Sequence, residues 1–196
     1  MKRCNVGAGN VPLRGYYNVD KYYYPGSPNP LTDQREVDKW VDSEDSKWLY
    51  GDAVKLDFES ETFDEVIMVH VLEHLDMEKG TQAIAEAHRV LKPGGTVEIE
   101  LPDLLVACAL MPTVHVTPTG NNQPWHRVMG LLYGTTGSDG EGQYHLCGYT
   151  KEYLRFKLEE RGFKSITEIP VGFGHGDDSE LGHAEPQYDF RFRGIK

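Results

Sequence analysis

The sequence predicts an α/β fold, a doubly wound and mostly parallel sheet in one domain, and three observations predict it. Short apolar runs alternate with helical patterns along the chain, as in repeated β/α units. The run Val66-Ile67-Met68-Val69 is continuously apolar, as a strand buried on both faces of a parallel sheet should be. The length, 196 residues, suits a single hydrophobic core with a site at its edge, so residues 1–196 are read as one domain.

Taken in order, candidate strands are 3–6, 17–19, 47–50, 63–69, 96–101, 165–171 and 188–194. A helix ends near Leu91, with Ile84, Ala87 and Leu91 at helical spacing and Lys92-Pro93-Gly94-Gly95 as its stop. A second helix spans 150–161, with Thr150 as cap, Glu152 in the first turn, Leu154 and Leu158 facing inward, and Gly162 after its end. Two stretches exceed ordinary connections: 21–45, rich in Tyr, Pro and Asp, and 104–148, where Pro and Gly punctuate two short helical patterns. The second is the expected lid or substrate insertion.

Composition removes several function classes. With 39% hydrophobic and 26% charged residues, no apolar run approaches the roughly 20 residues that span a bilayer. No basic segment leading into an apolar stretch follows Met1, so a cytoplasmic protein is expected. A formal charge of −11 without a Lys/Arg cluster argues against nucleic acid as partner. Cys4, Cys108 and Cys147, odd in number and without paired spacing, read as reduced thiols. Oligomeric state is not legible.

Asn5-Val6-Gly7-Ala8-Gly9-Asn10 follows the first strand, and its glycines let a ligand approach the backbone. A dinucleotide fingerprint needs a third glycine where Pro12 stands, and between Gly9 and Tyr17 there is room for only about two helical turns, which disfavours a nicotinamide cofactor. Asp20 closes the second strand, where a carboxylate can accept from both hydroxyls of a ribose; a turn-forming Asp is the plainer alternative.

These residues, with several that follow, resemble the class I S-adenosylmethionine-dependent methyltransferases, in particular the type 11 subgroup with a shortened first crossover. Residues 5–10 look like the family's first glycine motif, and Gly15-Tyr16-Tyr17-Asn18-Val19-Asp20 like the second strand of one branch. The segment from Asp52 to Asp64 resembles Asp-Ala-x-x-Leu-Pro-Phe-x-x-x-x-Phe-Asp without a gap, Asp57 replacing the Pro. His70-Val71-Leu72-Glu73-His74-Leu75 is similar to the post-strand segment, and Arg89-Val90-Leu91-Lys92-Pro93-Gly94-Gly95-Thr96 to the turn into the fifth strand. The resemblance implies a Rossmann-like seven-stranded sheet, helices on both faces and an antiparallel last strand. It implies S-adenosyl-L-methionine as cofactor, held by Gly7, Ala8, Gly9, Asn10, Asp20, Asp52, Ala53, His70 and Val71, with Asp52 on the adenine amino group and the Ala53 amide on a ring nitrogen.

His70-Val71-Leu72-Glu73-His74 also satisfies H-x-x-E-H, a zinc-peptidase signature. No third ligand is marked by a motif, and no metal is expected. A sulfonium methyl is already activated, so positioning dominates the chemistry, while a base would help a hydroxyl or protonated amine react. His145, preceded by Gly137 to Gly142, is the first candidate for base or substrate contact, and His126 the second. Trp125, Arg127 and Tyr133 are further candidates for the acceptor pocket, with core packing and surface pairing as their plainer alternatives. The expected activity is methyl transfer to a small-molecule or glycan-type acceptor. The alternatives are a non-catalytic S-adenosylmethionine-binding module and a zinc hydrolase using His70, Glu73 and His74.

Overall fold

The computed structural model describes residues 1–9, 12–22, 47–111, 124–134, 144–172 and 188–196, with side chains from 128 onward in the fourth segment. Its strands are β1 (Arg3–Val6), β2 (Tyr17–Asp20), β3 (Lys47–Tyr50), β4 (Phe63–Val69), β5 (Leu91–Pro102), β6 (Lys164–Ile169) and β7 (Asp189–Ile195). The helices are α1 (Met77–Val90), α2 (Leu104–Leu110), α3 (Pro124–Tyr133) and α4 (Lys151–Glu160), with a one-turn 3₁₀ helix at Leu72–His74. The strands form one sheet in the order β3-β2-β1-β4-β5-β7-β6. Strands β1 to β5 pair in parallel, and β7 runs antiparallel between β5 and β6. This is the doubly wound, mostly parallel Rossmann-like sheet that the sequence predicts, and it brings the carboxyl ends of β1 to β5 to one edge.

One face of the sheet carries the main core. Cys4 and Val6 of β1 lie in register with Val66 and Met68 of β4, and these pack with Val97, Ile99 and Leu101 of β5 and with Phe190 and Phe192 of β7. Helix α1 contributes Ala83, Ile84, Ala87 and Val90, and α4 contributes Leu154 and Leu158, both at helical spacing. Thr150 caps α4, its Oγ1 accepting from the Tyr153 amide at 3.2 Å.

The opposite face is polar where it would be expensive to leave groups unpaired. Residues 7–16 connect β1 to β2 without a helix among the described residues, and the buried Asn18 ties this loop down. Its Oδ1 accepts from Asn5 Nδ2 at 3.0 Å and from the Leu13 amide at 2.7 Å, while its Nδ2 donates to the carbonyls of Leu13, Tyr16 and Lys47. The side chain thereby satisfies backbone groups that a crossover helix would have satisfied itself. Further along, Glu98 and Glu100 stand opposite Arg193 and Arg191 across the β5–β7 ladder and form ion pairs with them.

The structure shifts several sequence-based boundaries. β5 begins at Leu91 and not at 96, because Leu91 already pairs with Phe63 before the register shift, and the Gly94-Gly95 turn is stitched to Lys196 by two backbone hydrogen bonds of 2.9 Å. β6 runs 164–169 where 165–171 is predicted, and β7 starts and ends one residue later than 188–194.

Asn18→Ala would leave the Leu13 amide and its neighbours without partners, so a loss of about 2–4 kcal/mol in stability is expected. Urea unfolding checks this. A loss below about 0.5 kcal/mol would mean the loop is held by something else.

Candidate active site

The carboxyl edge of β1, β2 and β3 is drawn together by hydrogen bonds. The Gly7 and Ala8 amides both donate to the Val19 carbonyl, at 2.8 and 3.1 Å, and the Gly9 amide donates to Asp20 Oδ2 at 2.8 Å. Asp20 Oδ1 accepts from the Tyr22 amide at 2.7 Å, and the Gly51 amide after β3 donates to the Asp20 carbonyl at 3.0 Å. Lys21 then reaches across to Asp52, Nζ to Oδ2 at 2.9 Å, while Asp52 Oδ1 accepts from the Val54 amide. That lysine bond holds the Asp52 carboxyl below its ordinary range, against the opposing effect of burial.

Gly7 and Gly9 have φ of 71° and 55°, the left-handed region that side chains avoid. They are glycine for different reasons. A Cβ on Gly7 would lie 2.4 Å from Val71 Cγ2, so the turn packs directly on the segment after β4. A Cβ on Gly9 would meet nothing within 4 Å, which marks open space in front of its backbone. Asn10 lies outside the described residues. Ala53 packs at the margin of the core, in a loop fastened from α1: Arg89 donates to the carbonyls of Leu56 and Phe58, and Glu86 Oε2 accepts from the Leu56 amide.

Beyond β4 the chain turns sharply at His70, whose φ is 52°. His70 Nδ1 is 3.0 Å from Glu73 Oε1, and its Nε2 is 3.5 Å from Asp189 Oδ2. Burial opposes a charge on this imidazole, but the two carboxylates prevail and raise its pKa to about 10. Glu73, buried at 2% exposure, sits between His70 and a second imidazole pair, His74 and His145, whose rings meet edge-to-face at 4.9 Å. Burial lowers the His145 pKa, favouring its neutral form. His145 is held from its own segment: the amides of Leu146 and Cys147 donate to the Glu73 carbonyl, and the Leu104 amide donates to the Tyr149 carbonyl. The H-x-x-E-H spacing therefore does not aim two imidazoles at one point. His70 turns toward Asp189 and Glu100, and His74 toward His145. Among the other predicted acceptor groups, Tyr133 is 60% exposed, and the side chains of Trp125, His126 and Arg127 lie outside the described residues.

Residues 5–99 match the family model described as a methyltransferase domain. Residues 5–99 therefore carry a methyltransferase domain. Solved structures of similar fold include an S-adenosylmethionine-dependent methyltransferase from Methanosarcina mazei, 16% identical with a TM-score of 0.62, the match covering 100% of this chain and 92% of that one. Another is a possible histamine N-methyltransferase from Thermotoga maritima, 16% identical with a TM-score of 0.56, covering 100% and 82%. A third is magnesium protoporphyrin IX methyltransferase from Synechocystis with bound S-adenosylhomocysteine, 14% identical with a TM-score of 0.58, covering 100% and 74%. No curated protein matches the sequence.

The cofactor of this enzyme class is S-adenosylmethionine, and the methyltransferase crevice is compatible with it. Asp20 accepts a backbone amide on each oxygen, from Gly9 and from Tyr22, which fixes the orientation of its carboxylate at the end of β2. The open space at Gly9 lies beside that carboxylate. Sequence reasoning missed Lys21, which bridges toward Asp52, and Arg89 and Glu86, which position the Asp52 loop from a helix more than 30 residues away. Lys21 directly follows the acidic strand end, but nothing in its spacing marks a partner at Asp52.

Gly7→Ala is expected to destabilise the protein by about 1–3 kcal/mol, through positive φ and collision with Val71. Adding Val71→Ala removes both colliding methyl groups, so the double variant should recover part of the loss in thermal melts. Strict additivity of the two losses would contradict direct packing between these positions.

Proposed function

We propose that the chain transfers the methyl group of S-adenosylmethionine to a small-molecule or glycan-type acceptor in the cytoplasm. The observation that carries this reading is the convergence of the Gly9 amide, Asp20 and Asp52 on one edge of the parallel sheet, next to Val71 and His70. When bound, the cofactor supplies an electrophilic methyl on a positively charged sulfur. Asp20 accepts the ribose hydroxyls, and the turn at Gly7, Ala8, Gly9 and Asn10 lines the passage of the amino-acid end. Asp52 and the Ala53 amide receive the adenine edge, with Lys21 sharing the Asp52 carboxylate. His70, fixed by Glu73 and Asp189, holds the segment that passes the methyl group. His145 is the acceptor-side contact, and His126, on α3 of the insertion, the second candidate.

The remaining work of the protein is alignment and exclusion of water, for which residues 104–148 serve as the lid. The start and end of that segment are joined where the Leu104 amide donates to the Tyr149 carbonyl, which supports this reading. The net charge of −11 supports this acceptor class over nucleic acid, because the chain repels a polyanion.

Asp20→Ala should weaken S-adenosylhomocysteine binding at least tenfold by calorimetry, each hydrogen bond to a charged group contributing about 1.5–3 kcal/mol. Unchanged affinity would remove Asp20 from the site. Incubation of labelled S-adenosylmethionine with cell extract, followed by separation of small molecules, glycans, protein and nucleic acid, should place the label in the first two fractions. Label confined to protein or nucleic acid would overturn the acceptor class.

A further inference from the structure

The cluster after β4 holds an arrangement that methyl transfer does not require. One ligand atom each from Glu73, His74 and His145 lies within 4.8 Å of the other two. Both imidazoles have a fixed tautomer. His74 Nδ1 is 3.1 Å from the Tyr144 carbonyl and His145 Nδ1 is 3.0 Å from the Leu131 carbonyl. A carbonyl only accepts, so each Nδ1 carries the hydrogen and each Nε2 keeps its lone pair. The third member is a buried carboxylate whose Oε1 is engaged by His70 and whose Oε2 has no hydrogen-bond partner among the described residues. An unpartnered carboxylate oxygen at 2% exposure is costly unless a donor or a cation meets it. Outer partners on every ligand, two backbone carbonyls and one imidazole, are the usual support of a metal centre.

We propose that Glu73 Oε2, His74 Nε2 and His145 Nε2 bind one divalent transition-metal ion, zinc by the chemistry of the donor set. Two imidazoles and a carboxylate suit zinc better than magnesium, which prefers oxygen ligands, and three protein ligands leave a coordination position open. The site differs from the peptidase pattern of H-x-x-E-H, because its third ligand comes from the insertion and His70 is an outer partner. The neighbouring group of His70, Glu100 and Asp189 is a different case. There Arg191 reaches Glu100 and His70 itself is the cation. Glu73 lies two residues beyond Val71, which packs on the Gly7 turn, so the ion sits beside the cofactor crevice. On the methyltransferase reading given above, the open position takes an oxygen or nitrogen of the acceptor. Binding of the ion itself does not rest on that reading.

The test is calorimetric titration of the chelator-treated full chain with Zn²⁺, with Mg²⁺ for comparison, and Co²⁺ loading followed by visible absorption. One equivalent of Zn²⁺ should bind, Mg²⁺ should bind far more weakly, and Co²⁺ should show the intense bands of a low-coordinate nitrogen and oxygen site. His145→Gln and His74→Gln should each weaken Zn²⁺ at least tenfold and abolish those bands. His88→Gln, on α1 and packed against Phe163, should change neither. Glu73 is buried and its variants can unfold, so the half-buried His145 carries the decision. S-adenosylhomocysteine affinity, measured on the same samples, should be unaltered in His145→Gln, which separates the metal question from the cofactor question. Absence of stoichiometric Zn²⁺ binding, or equal affinity in His145→Gln and the parent, would overturn the proposal.

Discussion

The hydrogen bond from the Gly9 amide to Asp20 Oδ2 is the contact on which the rest of the site depends. It sets the glycine turn after β1 against the end of β2, and it orients a nearly buried carboxylate. Parallel pairing makes this possible, because only parallel neighbours end at a common edge. The Gly51 amide on the Asp20 carbonyl and the Lys21 bond to Asp52 then extend the same edge to β3. The Gly9 contact ties the Asp20 side chain itself to the glycine turn.

A short first crossover has consequences across the second face of the sheet. With residues 7–16 spanning β1 to β2, backbone polarity passes to Asn5 and Asn18, and farther along the face Glu98, Glu100, Arg191 and Arg193 pair across β5 and β7. The buried pairs of Arg191 with Glu98 and Glu100 contribute little net stability compared with apolar packing, but removal of one partner is severely destabilising. The polar face is thus less tolerant of substitution than the apolar one, where α1 and α4 cover β1, β4, β5 and β7 with interchangeable aliphatic groups.

Much of this was legible in the sequence, for definable reasons. Strand β4 carries an apolar run that only a doubly covered strand explains, and α4 announces itself by Thr150, Leu154 and Leu158 at helical spacing. Asp20 stands at a strand end where position suggests a role, and Asp52 is marked by the family resemblance of the segment it begins. Long-range pairing was not legible. Arg89 reads as part of a helix terminus, yet its guanidinium fastens the Asp52 loop, a relation visible only once α1 lies beside that loop. The H-x-x-E-H spacing misleads for a related reason. Spacing predicts convergence if the segment is α-helical, whereas a left-handed His70 and a 3₁₀ turn point the two imidazoles to different neighbours. His145, which completes the group around Glu73, stands 71 positions beyond His74 and has no motif of its own.

On the proposed reading, the acceptor side and the cofactor side meet at the segment from His70 to His74. One measurement tests the central claim most directly: a crystal structure of the chain with S-adenosylhomocysteine. The account predicts the ribose on Asp20, the adenine edge at Asp52 and the sulfur directed toward His70. Adenosine density at any other surface, with the strand ends of β1, β2 and β3 left uncovered, would contradict it.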